Sequence, residues 1–260
     1  MRIIISPAKK MKIDNDVLFH KHMPIFIDKA QELLDYMRGL SYDELKSLWK
    51  CNDNIARLNY DRIRNMDLYN NLTPAILAFE GIQYQYMAPG VFEYGELDYI
   101  DEHLRILSGF YGILRPFDGV TPYRLEMQAR PKDWKYKSLY DFWANEIVKK
   151  LFSESKCILN LASKEYSKCI SNYLNKDIRF VTCTFGEIIN GKVIEKGTLV
   201  KMARGEMVRF MAENKIHNIE DIKSFNRLGY VFKEGLSDEN NYVFVKERVE
   251  KSSYKEWNDG

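Results

Sequence analysis

The 260-residue sequence has no run of 18 apolar residues, so no membrane-spanning helix is expected. Its opening stretch, MRIIISPAKKMK, holds only three consecutive strongly apolar residues before Ser6 and Pro7. That is too short for the core of a secretion signal. There are only four cysteines, Cys51, Cys157, Cys169 and Cys183, and no Cys-x-x-Cys pair. Such usage points to a reduced, cytoplasmic protein. The four histidines are scattered, and the one close pair, His20-x-His22, has no Cys or carboxylate cluster at ligand spacing. No bound metal is expected. A Walker loop and a Gly-x-Gly-x-x-Gly loop are both missing, and no cofactor is predicted. With no repeat and no low-complexity linker, one compact domain spanning 1–260 is expected. Net charge is only +2, so the chain as a whole is no obvious polyanion binder.

Apolar residues make up 45% of the chain, with 17 Tyr and 14 Phe, enough for a large core. Arg2–Ile5 reads as a strand buried on both faces, because three isoleucines run together without a polar alternate. It should be central in its sheet. Residues 24–39 and 52–64 read as amphipathic helices, and Ser41 with Glu44 forms a capping-box signature between them. Residues 96–107 and 139–152 also carry helical spacing, as do 164–174 behind Ser163. CILNLA (157–162) and IRFVTCTF (178–185) read as strands, with a hairpin turn at Asn190-Gly191. A helix over 198–214 and a last strand pair at 229–232 and 241–245 follow. Strands and helices interleave without a regular βαβ rhythm. The predicted class is therefore mixed α/β (α+β), with a mixed rather than a doubly wound sheet.

Charge is segregated along the sequence. Residues 1–12 hold Arg2, Lys9, Lys10 and Lys12 and no acid; 93–102 hold five acids and no base; 105–137 hold seven bases against three acids. This segregation predicts a basic cleft with an acidic flank. Within HLRILSGFYGILRPFDGVTPYRLEM (103–127), Gly109 and Gly112 lie three apart between segments read as helical. Arg105, Arg115, Arg124 and Arg130 crowd around them. Glycines let backbone N–H groups approach a phosphate closely. LSGFYGIL thus resembles the hairpin of a helix-hairpin-helix DNA-backbone-binding element, although that hairpin usually has its glycines two apart. The alternative is a plain turn with Leu107, Phe110, Ile113 and Leu114 in the core. In KMARGEMVRF (201–210), Lys201 and Arg204 share a helix face, whereas Arg209 lies about 140° from Arg204 around an ideal helix. Gly205 inside that helix costs about 1 kcal/mol relative to Ala, which calls for a close backbone or ligand approach.

Several segments place polar groups directly after an apolar element: SPAK (6–9), RPFD (115–118), PYRLEM (122–127), NLASKEY (160–166), KMARGEMVRF and FNRLGY (225–230). With PAILAF (74–79) and LYDFW (139–143), their order and spacing resemble the YaaA family of bacterial peroxide-stress proteins. The resemblance implies a cytoplasmic protein of the peroxide stress response that limits damage linked to free intracellular iron. It further implies a positively charged cleft and a helix-hairpin-helix-like element that together bind DNA; the partner expected is double-stranded DNA, bound by structure rather than by sequence. Carried onto matching positions, the candidate DNA-binding residues are Ser6, Lys9, Gly109, Gly112, Arg115, Arg124, Lys201, Arg204 and Arg209, with Lys10 adding charge. The resemblance supplies no catalytic set. From the residues themselves a second reading stays open. Asp118, Glu126 and Glu165 sit inside basic motifs, and Ser6 and Lys9 follow a strand end where open sheets present ligands. An enzyme acting on a nucleobase- or nucleotide-like substrate in the same cleft is the alternative; the acids otherwise serve to orient Arg115 or Arg124.

Overall fold

A computed structural model describes residues 1–14, 16 and 18–247. The expected domain end, 248–260, lies outside the described residues. The main sheet has eight strands. The strands of the chain are, in order, β1 (Arg2–Ile5), β2 (Lys10–Met11), β3 (Thr73–Pro74), β4 (Phe79–Glu80), β5 (Leu104–Ser108), β6 (Gly112–Leu114), β7 (Gly119–Val120), β8 (Cys157–Leu161), β9 (Arg179–Ile189), β10 (Lys192–Ile194), β11 (Tyr230–Phe232) and β12 (Asn241–Lys246). Their order across the main sheet is β11-β12-β9-β8-β1-β5-β6, with β10 paired to β9. β2 pairs with β4 and β3 with β7 in two small sheets.

The sheet is mixed, as the irregular rhythm indicates. Its five middle strands, however, are all parallel: β1 pairs in parallel with β5 and β8, β8 with β9, and β9 with β12. Antiparallel strands β6 and β11 form its edges. Ile3, Ile4 and Ile5 are fully buried. Successive strand residues point to opposite faces, so both faces are covered and β1 is central as expected. From β1 the chain crosses to β5 on one side, then returns past β1 to β8 and on to β9. Right-handed crossovers running in opposite directions put their helices on opposite faces. The helix Tyr94–His103 packs along β1 and β5. On the other face lies the helix Glu146–Glu154, whose Glu154 pairs with Arg2 and Arg105.

Local signals hold up where they are local. Ser41 and Glu44 make the capping box, and Asn52 caps the helix Asp53–Asn65 by accepting Ile55 N–H at 3.0 Å. Asn190 and Gly191 both take positive φ in the β9–β10 turn, which fits a type I′ hairpin. Two long helical readings break. Residues 139–152 form two helices, Leu139–Trp143 and Glu146–Glu154, separated at Ala144 with φ 41°. Residues 104–107, read as the end of a helix, are β5.

Hence the helix-hairpin-helix expected at 103–127 is a β-hairpin. Its turn is closed from within. Ser108 Oγ accepts the N–H groups of Tyr111 at 2.8 Å and Phe110 at 3.2 Å, and Phe110 and Tyr111 are fully buried. A Cβ on Gly109 would stand 2.5 Å from the Leu125 carbonyl, and one on Gly112, at φ +76°, 2.8 Å from the Trp143 ring. Trp143 Nε1 donates to the Gly109 carbonyl at 3.0 Å. Both glycines are therefore tightly packed within the hairpin.

Candidate functional site

In an open α/β sheet, ligands gather outside the carboxyl ends of two neighbouring strands whose connections leave in opposite directions. Here those strands are β1 and β8. Ser6 follows β1, and Ser163 follows β8 after Ala162. Ser6 Oγ accepts the Ser163 N–H at 2.8 Å and lies 3.2 Å from Ser163 Oγ. Ser163 stands at the N-cap of the helix Lys164–Ser171, but its side chain makes no capping bond there. Its hydroxyl points toward Ser6 instead. A cavity of ≈ 420 Å³ opens at this place.

Six of the ten predicted residues line that cavity: Ser6, Lys9, Lys10, Arg124, Lys201 and Arg204. The motifs SPAK, PYRLEM, NLASKEY and KMARG, far apart in sequence, thus meet. Arg124 and Arg204 are the inner cations, with side chains only 10% and 12% exposed. The Nε of each is buried without a hydrogen-bond partner among the described residues. Arg124 Nη2 lies 3.1 Å from Glu126 Oε1, which also faces Lys9 Nζ at 3.3 Å. Arg204 has a weaker counter-charge, Glu195 Oε1 at 3.8 Å, and burial lowers its pKa. Lys9, Lys10 and Lys201 are exposed at the mouth, and Lys10 pairs with Glu80 at 3.0 Å.

Three acids line the cavity: Glu80 holds Lys10 at the mouth, and the other two, Glu126 and Glu165, differ from each other. Two cations flank Glu126. Glu165 has its pKa raised, by burial first and by the neighbouring charge of Glu126 as well. Gln128 N–H donates to Glu165 Oε1 at 3.2 Å. Tyr84, Tyr123 and Tyr166 supply the aromatic wall. Tyr84 Oη donates to the Ser6 carbonyl at 3.0 Å, which ties the wall to the end of β1. These tyrosines and Ser163 are not evident from local sequence, because only the strand order brings them to the cavity.

The other four predicted residues lie elsewhere. Gly109 and Gly112 are buried in the hairpin. Arg115 binds Asp118, with Nε 3.0 Å from Oδ1, and lines a different cavity with Arg2 and Arg105. Arg209 pairs along its own helix with Glu213 at 2.7 Å, outside the cavity lining. Asp118 is buried on Arg115, the orienting role weighed for it, and is likewise absent from the cavity lining.

Gly205 explains how the floor is built. A Cβ there would collide with the Gln83 carbonyl, so the helix Gly197–Glu213 packs backbone to backbone on the helix Ile82–Met87. A pair of helices joined by a short turn lies outside the cavity lining, near Arg124 and Glu126. Helices Tyr42–Trp49 and Asp53–Asn65 pack together and are joined by Lys50-Cys51-Asn52, with Lys50 left-handed at φ 46°. Burial raises the Cys51 thiol, which also feels Arg124 and Glu126. Exposed Lys50 lines a separate hollow with Arg130 and Lys132 and with the acids Asp43 and Glu44.

Fold and site define an α/β protein with a charged, tyrosine-walled cleft at the reversal point of a parallel sheet. The sequence matches the family described as Peroxide stress protein YaaA over residues 1–236. A UPF0246 protein of Desulfitobacterium hafniense is 58% identical over 251 residues, covering 96% of this chain and 100% of that protein. One from Agathobacter rectalis is 55% identical over 246 residues (95% and 99%), and one from Pediococcus pentosaceus is 51% identical over 251 residues (96% and 100%). The chain belongs to the YaaA peroxide stress protein family. No helix among the described residues is long and apolar enough to cross a membrane.

Proposed function

We propose that this chain serves the cytoplasmic peroxide stress response by binding double-stranded DNA in the cleft between β1 and β8, and so limits iron-linked damage to it. One observation carries this reading: the nearly buried guanidiniums of Arg124 and Arg204 line one cavity, and Arg204 meets its nearest counter-charge, Glu195, only at 3.8 Å. Buried guanidiniums with spare donors suit a phosphate, which takes charge-assisted bonds from several N–H groups at once. Lys9, Lys10 and Lys201 at the mouth, with Lys50, Arg130 and Lys132 beside the 50–52 turn, extend positive charge along a backbone. The interface is then this turn and cleft, not the 108–112 hairpin. A cavity of ≈ 420 Å³ with a tyrosine wall has room for a nucleotide out of its stack. DNA with unpaired or distorted positions should therefore bind better than a regular duplex, with little sequence preference.

Fluorescence anisotropy with a labelled regular duplex and a duplex carrying a bubble, across a salt series, tests this. Expected is tighter binding of the bubble, weakening steeply with salt as counterion release loses its advantage. Lys201→Gln should lower the salt slope by about one unit. No binding by the folded protein at low salt would sink the reading.

A second reading has its own support. Glu126, flanked by cations, and Glu165, with a raised pKa, are two carboxyls in one cavity set apart by their surroundings. That division suits a base and an acid. An enzyme acting on a free nucleotide-like substrate follows, and it would keep turnover, lost in Glu165→Gln, where DNA affinity is nil.

A further inference from the structure

The far side of the sheet carries a second set of cations that the cleft does not use. Arg2 in β1 and Arg105 in β5 point to the same face, because Ile4 is the register partner of Arg105 and shares its side with Arg2. Ile113 of β6 joins that face through its partner Leu107. The helix Glu146–Glu154 lies over it and brings Lys150 and Glu154. Together with Arg115 and Asp118, these residues line a cavity of ≈ 430 Å³.

The charges in it do not balance. One carboxylate, Glu154, receives Arg2 Nε at 2.8 Å, Arg105 Nε at 2.7 Å and Lys150 Nζ at 3.0 Å. Asp118 is committed to Arg115, taking its backbone N–H at 2.8 Å and its Nε at 3.0 Å. Four cations thus face two carboxylates. Arg105 is buried, and it feels Arg2 and Arg115 as like charges. Its Nη1 serves the Asp101 and Leu104 carbonyls, while its Nη2 makes no hydrogen bond among the described residues. Neither Nη of Arg2 makes one either. Excess charge and free donors therefore converge on one apolar-floored hollow.

We propose that this cavity is a binding site for a compact phosphate dianion, either inorganic phosphate or the phosphate of a small phosphorylated metabolite. Two negative charges complete the set of four cations and two carboxylates. The free guanidinium N–H groups of Arg2 and Arg105 supply the planar, paired donors that phosphate oxygens accept. The apolar side chains of Ile25, Ile113 and Leu114 offer a surface for a small organic body beside the phosphate. The site is independent of the DNA reading, since it lies across the sheet from the Ser6 end.

Isothermal titration calorimetry of the full chain with inorganic phosphate, at an ionic strength held constant with chloride, tests it. Expected is saturable binding that Lys150→Gln weakens about ten-fold and Lys150→Glu removes. Lys150 is part-exposed and Glu154 keeps both arginines without it, so the fold should survive; circular dichroism confirms this. Arg204→Met, which silences the cleft, should leave this binding in place. If Arg204→Met removes the phosphate site and Lys150→Glu retains it, the phosphate belongs to the cleft and this proposal falls while the cleft reading stands. No binding beyond the chloride control also overturns it. Ribose 5-phosphate binding tighter than inorganic phosphate would assign a phosphorylated metabolite, and equal affinity would assign inorganic phosphate.

Discussion

The hydroxyl oxygen of Ser6 accepts the backbone N–H of Ser163 at 2.8 Å, across 157 residues of sequence. This bond joins the ends of two neighbouring parallel strands at the point where the winding of the sheet reverses. A second contact, Ser6 Oγ to Ser163 Oγ at 3.2 Å, engages the Ser163 hydroxyl, which makes no capping bond to its own helix. Ser6→Ala leaves a part-buried N–H without its acceptor and should cost about 1 kcal/mol in a urea denaturation midpoint. Ser6→Thr keeps the oxygen and should recover most of it. Equal loss in both variants would mean that the bond does not matter.

Gly205 gives a prediction whose sign separates two explanations. Helix propensity alone says that Gly205→Ala should stabilise by about 1 kcal/mol. The new Cβ would meet the Gln83 carbonyl, and backbone cannot step aside as a side chain can. Overpacking of that kind costs about 1–3 kcal/mol. Thermal unfolding should show a lower midpoint for the alanine variant; a higher one would show that the two helices do not touch there.

Gly112 tests the corrected reading of the hairpin. Its φ of +76° and its contact with Trp143 both disfavour a side chain. Gly112→Ala should lower stability by about 2 kcal/mol or more. If the hairpin does not touch DNA, the folded variant should bind DNA with unchanged affinity and salt slope. A selective loss of DNA affinity at full stability would restore the hairpin to the interface.

The hairpin also shows where sequence stops being legible. Leu97, Ile100, Leu104 and Leu107 keep helical spacing, yet the helix ends at His103 and Leu104 begins β5. β5 is buried at every position and its sequence, LRILS, shows no polar–apolar alternation, so nothing local separates it from a helix. Ile3–Ile5 escapes that ambiguity because Ser6-Pro7 stops it after a few residues. The capping box at Ser41 and Glu44 and the Asn190-Gly191 turn are readable because their cause lies within four residues. Lys9, Arg124, Lys201 and Arg204 could be singled out by type, but their convergence depends on strand order. Arg115 shares its type and motif style with them and still faces another cavity, since it follows β6 at the opposite sheet edge.

Glu165 yields a pH dependence. Burial raises its carboxyl above the ordinary carboxylate range. Its favourable share of stability is present in full below the unfolded pKa and is lost as pH rises through the folded one. At neutral pH the ionised, part-buried carboxylate is therefore a net cost. Glu165→Gln should be more stable than the parent at pH 7, and the gap should close as pH falls toward about 4. Urea midpoints across that range measure it. A gap that widens on acidification would mean that Glu165 is held ionised.

Arg204 brings stability and function into opposition. Its charge is buried, its nearest carboxylate oxygen is 3.8 Å away, and its Nε has no acceptor. Replacing a poorly paired buried ion by an apolar side chain of similar volume is often neutral or stabilising by about 1 kcal/mol or more. Arg204→Met should therefore unfold at an equal or higher urea concentration than the parent. If the cleft holds a phosphate, the same change removes a charge-assisted contact made only in the complex, and DNA affinity should fall about ten-fold or more. Stability gained with affinity lost identifies a cation kept for its ligand. Marked destabilisation with affinity retained would instead make Arg204 a structural residue and leave the cleft without its main phosphate donor.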